Sequence, residues 1–134
     1  MLFVWIRRFN ELPRGLTFPC TVAQLPENVE LNRFPHLLAY DHSRVQLERP
    51  GEGDSDYINA NYVPGYDRRR KAYIAAQSPF NERTICDFWL MVYQQRVDKV
   101  NIAGLSLPPT ESLPPNCFNF ICRLVYIKPM SGVG

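Results

Sequence analysis

This chain carries little net charge of either sign. Its 15 basic and 13 acidic side chains leave a formal net charge of +2. Nucleic-acid binding draws on a dense basic face, so no nucleic-acid partner is expected. The one basic run, Arg68 to Lys71, reads as a solvated hairpin tip, with a nuclear-import or phosphate-binding patch as the sharper alternative. The four cysteines, Cys20, Cys86, Cys117 and Cys122, form no CxxC pair, so no metal site is expected, and no motif calls for a cofactor. Without a secretory signal they read as reduced cytosolic thiols. An Asn-x-Ser/Thr acceptor is missing as well, which fits an intracellular chain. Long apolar runs are also lacking. The opening "MLFVWIRR" is too short to span a bilayer. It fits the apolar side of a first helix ending near Pro13, or the trimmed cytosolic end of a membrane anchor.

What is present describes a foldable domain. With 134 residues, 46% hydrophobic and 21% charged, the chain can bury a real core. Residues 3–12 place their apolar side chains mostly at helical spacing. Pro13, Pro19, Pro26 and Pro35 then interrupt regular structure and predict a long wrapping segment. "RVQLE" (44–48), "YINANYV" (57–63) and "AYIAAQ" (72–77) are predicted strands. In the second, Tyr57, Asn59, Asn61 and Val63 alternate with Ile58, Ala60 and Tyr62. "PGEGDSD" between the first two supplies the Gly and Asp that a reversal needs. A helix capped by Thr84 is expected next, burying Ile85, Phe88, Trp89, Val92 and Tyr93 as one stripe. "KVNIAGL" reads as a strand. Residues 108–115 then hold four of the twelve prolines, each removing a backbone donor. "CFNFICRLVYI" (117–127) fits one more strand, followed by the tail "KPMSGVG".

Five motifs stand in a telling order: "PENVELNRF" (26–34), "YDHSRV" (40–45), "DYINANYVPGY" (56–66), "AYIAAQSP" (72–79) and "TICDFWLMV" (84–92). Together, from Phe9 to about Val100, they resemble the N-terminal part of a classical protein tyrosine phosphatase domain, most closely the receptor-like kind. The resemblance implies an α/β fold: N-terminal helices, the first strands of a twisted mixed sheet and one packed helix, an incomplete version of that domain. It divides the chain into a truncated phosphatase part, 1–100, and a C-terminal tail, 101–134, unlike the family. It implies a phosphotyrosine-containing protein as the parent's partner, and a cytoplasmic location, the parent being the intracellular part of a membrane receptor. It also marks a cleft margin at Asn32, Arg33, Phe34 and His36. Phe34 stands where an aromatic packs on the phosphotyrosine ring, without the usual tyrosine hydroxyl. His36 stands where Asp or Asn is common, Leu31 replaces a lysine, and Ser78 replaces a glycine. Asp41, Arg44, Asn59 and Gln77 are expected to fix loops and sheet edges.

The catalytic groups that the resemblance calls for are not among these 134 residues. A family member attacks phosphorus with a low-pKa thiolate, holds the phosphoryl group in backbone amides and a bidentate arginine, and protonates the leaving oxygen from a Trp-Pro-Asp loop. Cys117 and Arg123 do stand six apart, as "CFNFICR". With four cysteines and twelve arginines in the chain, one such spacing is no surprise. Phe118, Phe120 and Ile121 would crowd a loop whose amides must converge on phosphate. The expected catalytic residues are therefore none, and the parent activity is phosphotyrosine hydrolysis. One alternative is a non-enzymatic interaction module that binds a partner through the cleft margin and sheet edge; another is an enzyme using Cys117. Uncovered apolar surface further predicts self-association or chaperone binding.

Overall fold

The computed structural model describes residues 10–11, 15–49, 51, 53–66, 69–104 and 122–129, with backbone alone for 102–104 and 122–129. The expected first helix lies mostly outside the described residues; Asn10 and Glu11 are helical. The proline-interrupted segment wraps as predicted, broken by a 3₁₀ turn at Val22–Gln24 and a short helix at Pro26–Val29 whose proline sits in the first turn, where its missing N–H costs nothing. Five strands follow: β1 Arg44–Gln46, β2 Tyr57–Val63, β3 Tyr73–Ala76, β4 Val97–Gly104 and β5 Cys122–Pro129. They form one sheet in the order β1-β2-β3-β5-β4, every described pair antiparallel. Gly53, with φ +101, makes the reversal between β1 and β2, a conformation other residues rarely adopt.

β4 runs across residue 100, and β5, from the stretch after it, lies within the sheet between β3 and β4. Ile74 of β3 faces Ile127, and Val100 of β4 faces the same residue on the other side. β2 is buried along Tyr57–Ala60 on both faces, because it is covered twice. On one face Ile58, Ala60, Ile74 and Ala76 pack with Val45 and Leu47 under Phe88 and Met91. On the other, Tyr57 packs with Cys20, Ala23, Leu31 and Ala39 of the wrapping segment. Burying a side chain such as Met91 completely stabilises by roughly 1.5–3 kcal/mol.

The long helix, Glu82–Gln94, departs from expectation in two ways. It is capped by Asn81, not Thr84. Asn81 is extended (φ −143, ψ 171) and its side chain accepts from the Thr84 amide, while the Thr84 hydroxyl accepts from the Asn81 amide. That reciprocal box satisfies two amides and starts the helix earlier than expected. The buried face is Thr84, Asp87, Phe88 and Met91; Ile85, Trp89 and Tyr93 point outward. Partners explain the polar members. Thr84 is spent in the cap, and Asp87 accepts a charged hydrogen bond from Arg49. Just past the helix, Arg96 has φ 48, the left-handed turn common after a helix C-terminus. No described helix is long and apolar enough to cross a membrane.

Candidate functional site

The segment Leu31–Leu38 is pinned to the sheet by amide side chains. Asn28, buried, donates to the Val22 carbonyl at 2.8 Å and accepts from the Ser55 hydroxyl at 2.6 Å. Asn32 donates to the carbonyls of Ala23 (3.0 Å) and Asn28 (3.1 Å), and its oxygen accepts from the Tyr57 hydroxyl at 2.6 Å. From β2, Asn59 donates to Asn32 Oδ1 and to the Leu37 carbonyl, at 3.0 and 2.7 Å. Just past β3, Gln77 donates to the Leu31 carbonyl at 2.6 Å and accepts from the Arg33 amide at 2.9 Å. The Leu37 end is thus tied to β2 and the Leu31 end to the residue that follows β3. Burial pushes the Tyr57 phenol well above its usual pKa, so the hydroxyl remains a donor to Asn32.

This clamp shapes a cavity of about 270 Å³ between the segment and the sheet. Phe34, His36, Leu37 and Tyr40 line one wall; Asn59, Asn61, Ala75 and Gln77 line the other. Phe34 is 36% exposed at the rim, and the Arg33 guanidinium stands over its ring, 5.5 Å from the centroid. An aromatic face beside a guanidinium is a surface that an aromatic anion can use. Of the four residues marked from sequence, Phe34 and His36 line the cavity. Arg33 flanks it, tied by its amide to Gln77. Asn32 faces inward and holds the segment, a positioning role. Asn59 and Gln77 serve both as ties and as wall. The alternation in β2, which set Asn59 and Asn61 on one face, was the signal for the wall; nothing local announced that the wrapping segment would close over it.

Carboxylates anchor the approach to this segment. Asp41 accepts from the Thr21 hydroxyl (2.6 Å) and from the Thr21 and Val22 amides (2.8 and 3.1 Å). The Thr21 hydroxyl above all, helped by those amides and Arg44, holds Asp41 below its ordinary 3.8 despite some desolvation. At Asp56, burial disfavours the charge, but the hydrogen bonds from Arg44 and Gln46 and the guanidinium's attraction outweigh it and lower the pKa. A carboxylate with a depressed folded pKa contributes its full stability above the unfolded value and loses it as pH falls through the folded one. Stability is therefore expected to be level above about pH 5 and to fall below about pH 4. Asp41→Asn and Asp56→Asn should each flatten that acid limb, as read by urea melts across this range. An unchanged limb in both variants would assign the acid loss to other groups.

Among the described side chains, Cys20 is buried and Cys86 is exposed on the long helix, and neither is in a disulfide. Cys117 lies outside the described residues. Arg123 lies in β5, whose backbone is committed to pairing with strands on both sides.

The family model "Protein-tyrosine phosphatase" matches residues 28–105. Receptor-type tyrosine-protein phosphatase V of Rattus norvegicus is 46% identical over 95 residues, covering 69% of this chain and 5% of that protein. Receptor-type tyrosine-protein phosphatase alpha of Homo sapiens is 49% identical over 90 residues, covering 65% of this chain and 11% of that protein. The solved catalytic domain of human protein tyrosine phosphatase non-receptor type 18 superposes with a TM-score of 0.53 at 42% identity, over 57% of this chain and 27% of that one. The chain thus spans about a tenth or less of these receptor-type relatives and about a quarter of the solved domain. With more than half its length matched to one family model, and with helices and an antiparallel sheet that fit an incomplete domain of that fold, the chain belongs to the protein-tyrosine phosphatase family.

Proposed function

We propose that this stretch supplies the margin of a phosphotyrosine cleft and carries none of the catalytic groups, the parent protein hydrolysing phosphotyrosine in cytoplasmic proteins. The observation that carries the reading is the clamp. Gln77, Asn59 and Asn32 fix the backbone on either side of Phe34, so its ring is held at the cavity rim with Arg33 above it. A pre-positioned aromatic spends little conformational entropy when it stacks. His36 beside it lines the same wall and takes the place of a group that orients the substrate backbone. Phe34 carries no group that reacts at phosphorus, and His36 is given an orienting place rather than a chemical one. Attack needs an activated nucleophile, and the transferring group needs converging amides.

Affinity should accordingly be weak. Aromatic stacking of this kind contributes roughly 0.5–1.5 kcal/mol beyond area burial, and among the described residues no phosphate nest stands at the cavity to add charge-assisted bonds. A phosphotyrosyl peptide titrated against the chain, followed by amide chemical shifts, should shift residues around Phe34 without saturating below about 1 mM. Phe34→Ala should weaken that binding roughly two- to twelve-fold, the stacking energy just given expressed as a ratio. Micromolar binding that survived Phe34→Ala would place recognition elsewhere. Shifts confined to other surfaces would remove the cleft-margin reading.

A further inference from the structure

Low net charge conceals an uneven distribution. β2 and β5 finish, and β3 and β4 begin, at one end of the sheet, where Val63 faces Tyr73 and Val97 faces Pro129. The β2–β3 loop leaves from that end, closed by a hydrogen bond from the Gly65 amide to the Arg69 carbonyl at 2.9 Å. It carries Arg69, Arg70 and Lys71, all exposed. Arg96, between the long helix and β4, and Lys99, near the start of β4, add exposed cations from other elements. The register sets Lys128 of β5 opposite Lys99. Tyr62 fastens these parts together. Its hydroxyl donates to Gln95 Oε1 at 2.7 Å, just past the helix, and the Lys71 ammonium stands over its ring, 4.5 Å from the centroid. The described carboxylates nearby are Asp98 and Glu48, whose backbone meets the Gln94 side chain. Asp54 and Asp56 precede the start of β2, about 20 Å away along that strand.

We propose that this end of the sheet docks on an anionic phospholipid surface, through Arg69, Arg70, Lys71, Arg96 and Lys99. Shape and chemistry select that partner. The cations come from a loop, a helix end and a strand, so they are scattered over one end of the molecule. A nucleic-acid strand holds its phosphates at fixed spacing and is met by a basic groove with stacking rings along it. A bilayer offers mobile headgroups that gather under scattered charge, and its anionic leaflet attracts each cation near it. Tyr66 is 106% exposed on the loop, and Tyr73 is 41% exposed beside it. Tyrosine rings next to lysine and arginine settle at headgroup level. That a bilayer lies within reach rests on the reading of the parent as the intracellular part of a membrane receptor, and nothing here rests on the role given to Phe34. Asn59 and Gln77 of the cavity stand toward the other end of these strands, so a docked chain keeps the cavity open.

The full chain should be sedimented with vesicles of two parts phosphatidylcholine to one part phosphatidylserine. The expected result is co-sedimentation that vesicles of phosphatidylcholine alone do not give. It should be present at about 0.1 M salt and lost by about 1 M, where the screening length has shrunk from about 10 Å to about 3 Å. Arg70→Gln and Lys99→Gln, exposed positions on different elements, should each weaken binding roughly fivefold and together roughly 25-fold, following the pull of an anionic leaflet on each cation. Arg83→Gln, which removes an exposed cation from the first turn of the long helix, should leave binding unchanged. Equal binding to both vesicles, no binding, or binding indifferent to the double variant would each overturn the proposal. So would tighter capture of a single-stranded oligonucleotide that the double variant abolished, since that would assign this end to nucleic acid. Phe34→Ala should bind vesicles normally, and the double variant should keep its peptide shifts. Either reading can therefore fail while the other stands.

Discussion

A phosphotyrosyl peptide incubated with the purified chain is expected to remain intact, with any release of phosphate equal in native chain and in the Cys117→Ser and Arg123→Ala variants. Hydrolysis requires a thiolate held against phosphorus, and an ordinary cysteine near pKa 8.5 is mostly protonated at neutral pH. Cys20 is packed among Ala23, Leu31, Ala39 and Tyr57, where no phosphate can reach it. Cys86 sits inside the long helix, whose backbone amides beyond the first turn are used by its own carbonyls. Arg123 belongs to an inner strand rather than to the start of a helix, where free amides converge on an anion. Loss of positioned acid–base help alone lowers a rate by roughly 10²–10⁴, and loss of preorganised donors costs about 10²–10³ more. Phosphate release at a family-like rate, abolished in both variants, would show that Cys117 and Arg123 make a working site.

Asp87→Ala should be among the most damaging single changes for the fold. Asp87 is 4% exposed and its partner Arg49 is largely covered, with side-chain exposures of 5% and 19% for the pair. The Arg49 Nε is already buried without a hydrogen-bond partner, so the guanidinium depends on this carboxylate. Breaking a buried pair from one side costs about 3–5 kcal/mol, because the remaining charge stays desolvated. That is a large share of the 5–15 kcal/mol that holds typical domains together. Replacing both members, Arg49→Met with Asp87→Leu, should recover most of the loss, since no charge is then stranded. Urea unfolding of the three variants measures this directly. If Asp87→Ala shifted stability by under about 1 kcal/mol, the pair would be solvent-screened and structurally minor.

Asp87 also shows why the sequence misled about the helix. The helix's existence followed from the spacing of Ile85, Phe88, Trp89, Val92 and Tyr93. Which face turned inward did not, because hydrophobicity favoured Trp89 and Tyr93 over Thr84 and Asp87. The polar pair wins its buried place through specific partners, Asn81 and Arg49, that lie outside the helix. β2 was readable to the residue, since its alternation reports two different faces. The second covering of that strand was not, because the wrapping segment is held by Asn28, Asn32, Asn59 and Gln77 rather than by an apolar period. The "NRF" motif drew attention to this segment through resemblance, and Phe34 lies at the rim of the cavity. Its inward member, Asn32, was hidden by the same cause, since an amide that ties a loop and one that meets a ligand are the same letter.

The position of β5 sets an order of events during synthesis. A ribosome releases the N-terminal residues first, and early segments begin to organise while later ones are unmade. β1, β2 and β3 are consecutive and pair as they emerge. β4 is made next, yet its described sheet partner is β5, whose residues come near the very end of the chain. The latest of the described strands is therefore an inner one, and both its neighbours must wait with open edges until it arrives. Closing contacts between residues so far apart is slow. For the time taken to make residues 105 to 129, the two edges that β5 fills, one on β3 and one on β4, stay unpaired.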